Sequence, residues 1–163
     1  MNNNYAFIDG QNLHEAVKNF KWWLCYEKLN FVLKNTFNVS KAFYFVGYTQ
    51  SRNCKLYKDL RKAGFLLSLR KPVMHTENGI KKIKANVDSN LITHSLIKFT
   101  LYDKAVIIAG DSDYYCLSKY LIRNDKLLKI ILPSRKCSSN LYKNNIFRNY
   151  IIYLDNMRNS LEK

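Results

Sequence analysis

Residues Ala105 to Leu117 read AVIIAGDSDYYCL. The apolar run Ala105 to Ala109 stops at Gly110, and Asp111, Ser112 and Asp113 follow. A short apolar run closed by glycine is the pattern of a strand buried on both faces, as in the parallel sheets of α/β proteins. Tyr114 to Ile122 has helical length and spacing, so the two aspartates fall at a strand-to-helix turn. In open α/β sheets ligands bind at such turns, beyond the carboxyl ends of the strands. Two carboxylates one residue apart repel each other, and a divalent cation is the simplest reason for them to coexist.

The chain is 163 residues long and 47% hydrophobic, enough for one folded domain spanning 1–163. No apolar run reaches the ~18–20 residues needed to cross a bilayer, and Met1 to Tyr5 has no signal-peptide character. The expectation is a cytoplasmic protein with no membrane partner. Its four cysteines (Cys25, Cys54, Cys116, Cys137) form no CxxC pair, which argues for reduced thiols rather than a zinc site. The formal charge is +15, from 27 basic and 12 acidic residues. Such an excess points to a polyanionic partner, with nucleic acid ahead of a membrane surface.

The apolar-strand, Asp, Gly, helix pattern also opens the chain. Tyr5 to Asp9 reads as a strand, Gly10 to Asn12 as its turn and Leu13 to Phe20 as a helix. Trp22 and Trp23 fall in a basic linker before a helix over Tyr26 to Lys34. Lys41 to Tyr48 reads as a strand, Lys55 to Ala63 as a helix stopped by Gly64, and Phe65 to Leu69 as a third strand. This alternation predicts βαβ units with right-handed crossovers. Residues 70–85 break it with a hairpin around Asn78-Gly79, whose second arm carries Lys81, Lys82 and Lys84. That arm is either a protected edge or a substrate-binding surface.

Asn86-Val87-Asp88 opens a helix running to about Leu101, with Leu91, Ile92, Ser95, Leu96 and Phe99 as its apolar face. Lys126 to Leu132 is a further strand. A polar loop carrying Arg135 and Lys136 is suited to phosphate, Asn149 to Leu154 is an edge strand, and Asp155 to Lys163 reads as a tail. Four of the eight aspartates, Asp9, Asp88, Asp111 and Asp113, thus sit at strand ends or helix starts that can meet at one mouth. Phosphate loops of the GxGxxG or GxxxxGK type are absent, which disfavours mononucleotides. Oxygen-only ligation in a basic chain suits Mg²⁺ or Mn²⁺ and phosphodiester hydrolysis.

Three segments, FIDGQN (Phe7 to Asn12), NVDSNL (Asn86 to Leu91) and AGDSDY (Ala109 to Tyr114), in this order and spacing resemble the NYN domain. The resemblance extends over roughly Tyr5 to Leu154. It implies a three-layer, Rossmann-like (PIN-like) α/β fold with a mainly parallel sheet of about five strands. It also implies a metal-dependent endoribonuclease, with Asp9, Asp88, Asp111 and Asp113 as the catalytic, Mg²⁺- or Mn²⁺-binding acids and Asn12 and Ser112 in support. Asn86 stands where the family often has glycine, and the neighbourhood of His94 lacks an acid the family often carries there. A non-catalytic RNA-binding module and a nuclease of structured DNA are the alternative readings. RNA is the expected partner, with DNA as the second choice. Lys81, Lys82, Lys84, Arg135 and Lys136 are the expected nucleic-acid contacts, and a homo-oligomer is compatible with the sequence.

Overall fold

A computed structural model describes residues 3–47, 54–71, 73–77, 80–84, 86–135 and 138–163, with backbone alone for 54, 73–77 and 80–84. In chain order the elements are β1 (Asn4–Asp9), α1 (Gly10–Lys18), α2 (Tyr26–Phe37), β2 (Val39–Gly47), α3 (Cys54–Lys62) and β3 (Leu66–Arg70). There follow β4 (Val73–Glu77), β5 (Ile80–Lys84), α4 (Val87–Ile97), β6 (Ala105–Ile108), α5 (Tyr115–Arg123), β7 (Leu127–Leu132), β8 (Ile151–Tyr153) and α6 (Arg158–Leu161).

Six strands form one sheet in the order β3-β2-β1-β6-β7-β8. Every neighbouring pair is parallel. The expected strands are all found, and β8 brings the count to six. From β1 the chain winds outward through β2 and β3, and from β6 it winds the other way through β7 and β8. The reversal lies between β1 and β6, the place beyond the carboxyl ends of the strands where open α/β sheets bind ligands. The hairpin β4–β5 is a separate antiparallel pair, outside this sheet; its expected Asn78-Gly79 turn lies outside the described residues.

Alternation along β1 divides the core. Ala6 and Ile8 face a layer that includes Leu13 of α1, Leu29 and Leu33 of α2, and Leu60 of α3. Tyr5 and Phe7 face the opposite layer, with Val87 and Leu91 of α4 and Leu117 and Leu121 of α5. Side chains in a strand alternate faces with period two, so Asp9 belongs with Tyr5 and Phe7, towards α4 and α5. The sheet is therefore covered by helices on both sides, and its ladder is apolar throughout β6 and the end of β7.

Several boundaries depart from expectation for local reasons. Gly10 to Asn12 is the first turn of α1 rather than a loop, because the Asp9 carboxylate caps that helix. Gly10 tolerates no side chain: a Cβ there would lie 2.6 Å from the carbonyl oxygen of Phe45 and closer still to the Tyr44 ring. Helix α4 ends at Ile97 instead of Leu101. Its buried line is Val87, Leu91 and Ser95, spaced four apart, while Leu96 is 43% exposed.

The segment from Asp155 is not a tail. Leu154 and Leu161 are fully buried. Cys25 N–H donates to the Leu161 carbonyl at 2.8 Å, and Lys163 N–H donates to the Trp23 carbonyl at 2.9 Å. Burying a leucine contributes ~1.5–3 kcal/mol, which a solvated tail forgoes. Gly64 does end α3 as expected, with φ of 91°.

Candidate functional site

Asp9 ends β1 at the reversal of strand order and is only 3% exposed. Its Oδ1 accepts the N–H groups of Gln11 and Asn12, each at 3.0 Å. That fixes the carboxylate and turns Oδ2 towards the α4–α5 side, where Tyr114 waits. The Tyr114 hydroxyl lies 2.8 Å from Asp9 Oδ2 and 2.7 Å from Asp88 Oδ1. Asp88 arrives from the first turn of α4, which is capped by Asn86 Oδ1 accepting the Ser89 N–H at 3.2 Å. Tyr114 itself is fully buried at the end of a 3₁₀ turn, Ser112–Tyr114.

A hydroxyl carries one hydrogen and donates to one acceptor. Both short contacts are hydrogen bonds when a second proton sits on one of the carboxyls. Burial raises the Asp9 pKa above 3.8 despite the lowering effects of its hydrogen bonds with the Asn12 N–H and the Tyr114 hydroxyl, with the nearby Asp88 charge a smaller raising effect. Burial pushes the Tyr114 hydroxyl up as well, far above the ordinary phenol value. The three oxygens form a compact array.

Asp111 follows Gly110 beyond β6 and caps the 3₁₀ turn, its Oδ1 accepting the Ser112 N–H at 3.0 Å. Asp111, Ser112 and Asp113 are all exposed at the mouth. The turn is held from two sides. Asn12 Oδ1 accepts the Gly110 N–H at 2.9 Å, tying α1 to it. Ser139 N–H donates to the Gly110 carbonyl at 2.8 Å, and the Tyr142 hydroxyl to the Asp111 carbonyl at 3.2 Å. Burial pushes the Tyr142 hydroxyl up to about 12, with Asp111 and Asp113 adding smaller raising effects.

The structure thus brings Asp9 and Asp88 together, with Asp111, Ser112 and Asp113 on the adjoining turn and Asn12 bracing it. Among the described residues no three or more His, Cys, Asp or Glu side chains are arranged to hold a metal ion. The donor set is nevertheless chemically consistent: carboxylates are hard oxygen ligands of the kind Mg²⁺ and Mn²⁺ take. Of the expected nucleic-acid contacts, Lys81, Lys82 and Lys84 belong to β5, but their side chains, like Lys136 as a whole, lie outside the described residues. Arg135 lies with its guanidinium carbon 3.9 Å from the centre of the Tyr153 ring and donates to Asn156 Oδ1 at 3.2 Å. His94 packs against Phe43 and Phe45, ring centres 4.9 and 5.4 Å away, and burial lowers its pKa.

Tyr114 and Tyr142 were not foreseen as site residues. Tyr114 closes the GDSDY segment, but a tyrosine at a helix start reads equally well as core. Tyr142 carries no local signal at all, since its hydroxyl reaches a backbone carbonyl far away in the chain.

An acid pair at the strand-order reversal of a parallel sheet, with further acids on the turn beyond the central strand, defines an α/β protein of PIN-like architecture. The NYN domain model matches residues 5–149, and the chain belongs to that family of PIN-like nucleases. No curated protein matches it. Among solved structures, one of a Vibrio parahaemolyticus protein of unknown function is similar, at 17% identity and a TM-score of 0.73. The alignment covers 99% of this chain and 97% of the other, and what it shares is the fold. Among the described residues no helix is long and apolar enough to cross a membrane.

Proposed function

We propose that this chain is a divalent-cation-dependent endoribonuclease. The observation that carries the reading is the meeting of Asp9 and Asp88 on the Tyr114 hydroxyl, at the strand-order reversal of a chain of the NYN family. Asp9, Asp88, Asp111 and Asp113 are the residues that would hold Mg²⁺ or Mn²⁺. When bound, the cation supplies a lowered pKa for an attacking water and neutralises charge at the phosphate.

The chain's own residues do the rest. Two N–H bonds spend Asp9 Oδ1, so Oδ2 alone is presented. Tyr114 holds that oxygen beside Asp88 and keeps bulk water from the buried side. The exposed Asp111–Asp113 turn leaves room for a polymer to approach, and its backbone is held still by Asn12, Ser139 and Tyr142. The +15 charge favours a polyanion, and Lys81, Lys82, Lys84, Arg135 and Lys136 are proposed phosphate contacts. A cytoplasmic setting and RNA rather than DNA belong to the same proposal.

The test is cleavage of end-labelled RNA, single-stranded DNA and structured DNA, with Mn²⁺, Mg²⁺ or EDTA, by wild type and Asp111→Asn. Internal cleavage of RNA that needs the cation and falls ~10³-fold in the variant supports the proposal. Equal turnover by both proteins overturns it. Cation-independent binding without cleavage makes the chain an RNA-binding module, and preference for structured DNA changes the substrate.

A further inference from the structure

The turn that carries Asp111 has a second side, against α1. There it borders a cavity of about 130 Å³, lined by Asn12, Glu15 and Asn19 of that helix and by Gly110, Pro133 and Ser138 opposite. Asn12, Glu15 and Asn19 follow one another at spacings of three and four, so they share one line along the helix. Ala16 and Pro133, both buried, give the lining an apolar part. Glycine keeps the space open at position 110: a Cβ there would lie 3.1 Å from Ser138 Oγ and 3.5 Å from Asn12 Oδ1. The size suits one flat ring, since a cavity of ~150 Å³ takes a benzene.

The hydrogen-bonding capacity left over on the α1 wall has a definite pattern. Asn12 Oδ1 accepts the Gly110 N–H, which leaves the amide hydrogens of Asn12. Asn19 Nδ2 donates to the Glu15 carbonyl at 3.0 Å, which leaves Asn19 Oδ1. Glu15 Oε1 accepts from Gln11 Nε2 at 3.2 Å, which leaves Oε2 and most of the carboxylate's lone pairs. Among the described residues nothing else engages these groups. The wall therefore offers two acceptor groups, one of them charged, and one donor.

We propose that this cavity is a nucleobase pocket selecting guanine beside the cutting site. The proposal rests on the nuclease reading of the Asp111 turn. The pairing edge of guanine carries two adjacent donors, N1–H and the N2 amine, and one acceptor, O6, which is the complement of the wall. Adenine, cytosine and uracil each carry a single donor group on that edge, so at least one wall acceptor goes unmet. Selection against them comes from setting a base acceptor against Glu15 or Asn19. A pairing edge is free only in an unpaired base, so the pocket reads a single strand or a loop. Gly110 lines the pocket and Asp111 is the next residue, so a guanine held here sets the cut at a fixed offset along the strand.

Binding of GMP, AMP, CMP and UMP to the full chain is measured in EDTA by ligand-observed NMR titration. The phosphate is common to all four and cancels in the comparison. GMP is expected to bind ~5–150-fold more tightly than the others, the range that one good bidentate base contact discriminates. Glu15→Gln, at an exposed position and with its fold checked by melting, is expected to bring GMP to the level of the other three. Asn19→Ala is expected to narrow the gap. With Mn²⁺ and a mixed-sequence RNA, the cuts of wild type are expected at one offset from guanine. Equal binding of the four nucleotides, tighter binding of another base, or a GMP preference that survives both substitutions overturns the pocket. Selective GMP binding by a chain that never cleaves removes the nuclease and leaves the pocket. Cation-dependent cleavage without a guanine offset does the reverse.

Discussion

Asn12 Oδ1 and the Gly110 N–H are hydrogen-bonded at 2.9 Å, 98 residues apart in the chain. The bond ties the first turn of α1 to the turn after β6, on either side of the strand-order reversal. Gly110 is buried, so its N–H has no water to turn to. Leaving such a donor unsatisfied costs ~1–3 kcal/mol. Asn12→Ala should therefore lower the urea-unfolding free energy by about that amount, whereas Gln11→Ala, on the exposed face of the same helix, should change it little. Equal effects of the two would show that the bond does not hold the turn.

Asp9 gives the chain a pH dependence of known sign. Burial raises its folded-state pKa above 3.8. Between the unfolded and folded values the folded chain holds more protons, so this group's contribution to stability is lost as pH rises through that window. Asparagine caps a helix as well as aspartate, so Asp9→Asn should remove this slope while keeping α1. Urea midpoints of both proteins in EDTA, from about pH 4 upward, give the difference. Added Mn²⁺ should then raise the wild-type unfolding free energy alone, by ~2.7 kcal/mol at 100 times the dissociation constant. Identical pH curves would mean that Asp9 titrates as it does in the unfolded chain.

His94 predicts the opposite sign at higher pH. Burial, and to a smaller extent Lys98, lower its pKa below 6.5. The unfolded chain then holds more protons between the two values, so stability falls as pH drops from 6.5 through the folded value. His94→Gln should flatten the wild-type curve over that interval. A slope that survives the substitution belongs to some other group.

Leu161→Ala tests the C-terminal anchor. The side chain is fully buried against the layer that contains Leu29 and Leu33, so its truncation should cost ~2–5 kcal/mol. Glu162→Ala, a half-exposed neighbour whose partner is Arg158, should change stability little. Chemical denaturation of the two variants decides it.

The sheet was legible because Ala105 to Ala109 and Tyr5 to Ile8 are short apolar runs closed by Gly or Asp, a pattern set by local sterics and burial. Asp9 and Asp111 were legible for the same reason, as the residues where those runs stop. The partnership of Asp9 with Asp88 through Tyr114 was not, since it depends on how α4 and α5 settle over the sheet. Nor does spacing tell which of two adjacent tryptophans is buried: Trp22 packs on Phe20, ring centres 4.8 Å apart, while Trp23 is left outside. The C-terminal anchor did leave a trace in Leu154, Met157 and Leu161, at helical spacing, but four residues of helix among polar neighbours is too short a signal to separate from a tail.

The strand order also sets a timetable for synthesis. β1 lies between β2 and β6, and its second partner is among the later parts of the chain to leave the ribosome. The 98 residues separating Asn12 from Gly110 take roughly 5–20 s to translate at ~5–20 residues per second. For that interval one side of β1 has no strand beside it, and Tyr114 has not yet been made to stand between Asp9 and Asp88. A nascent chain of this protein is therefore unable to assemble the acid site until the segment through Tyr114 has emerged, while it is still tethered to the messenger that encodes it.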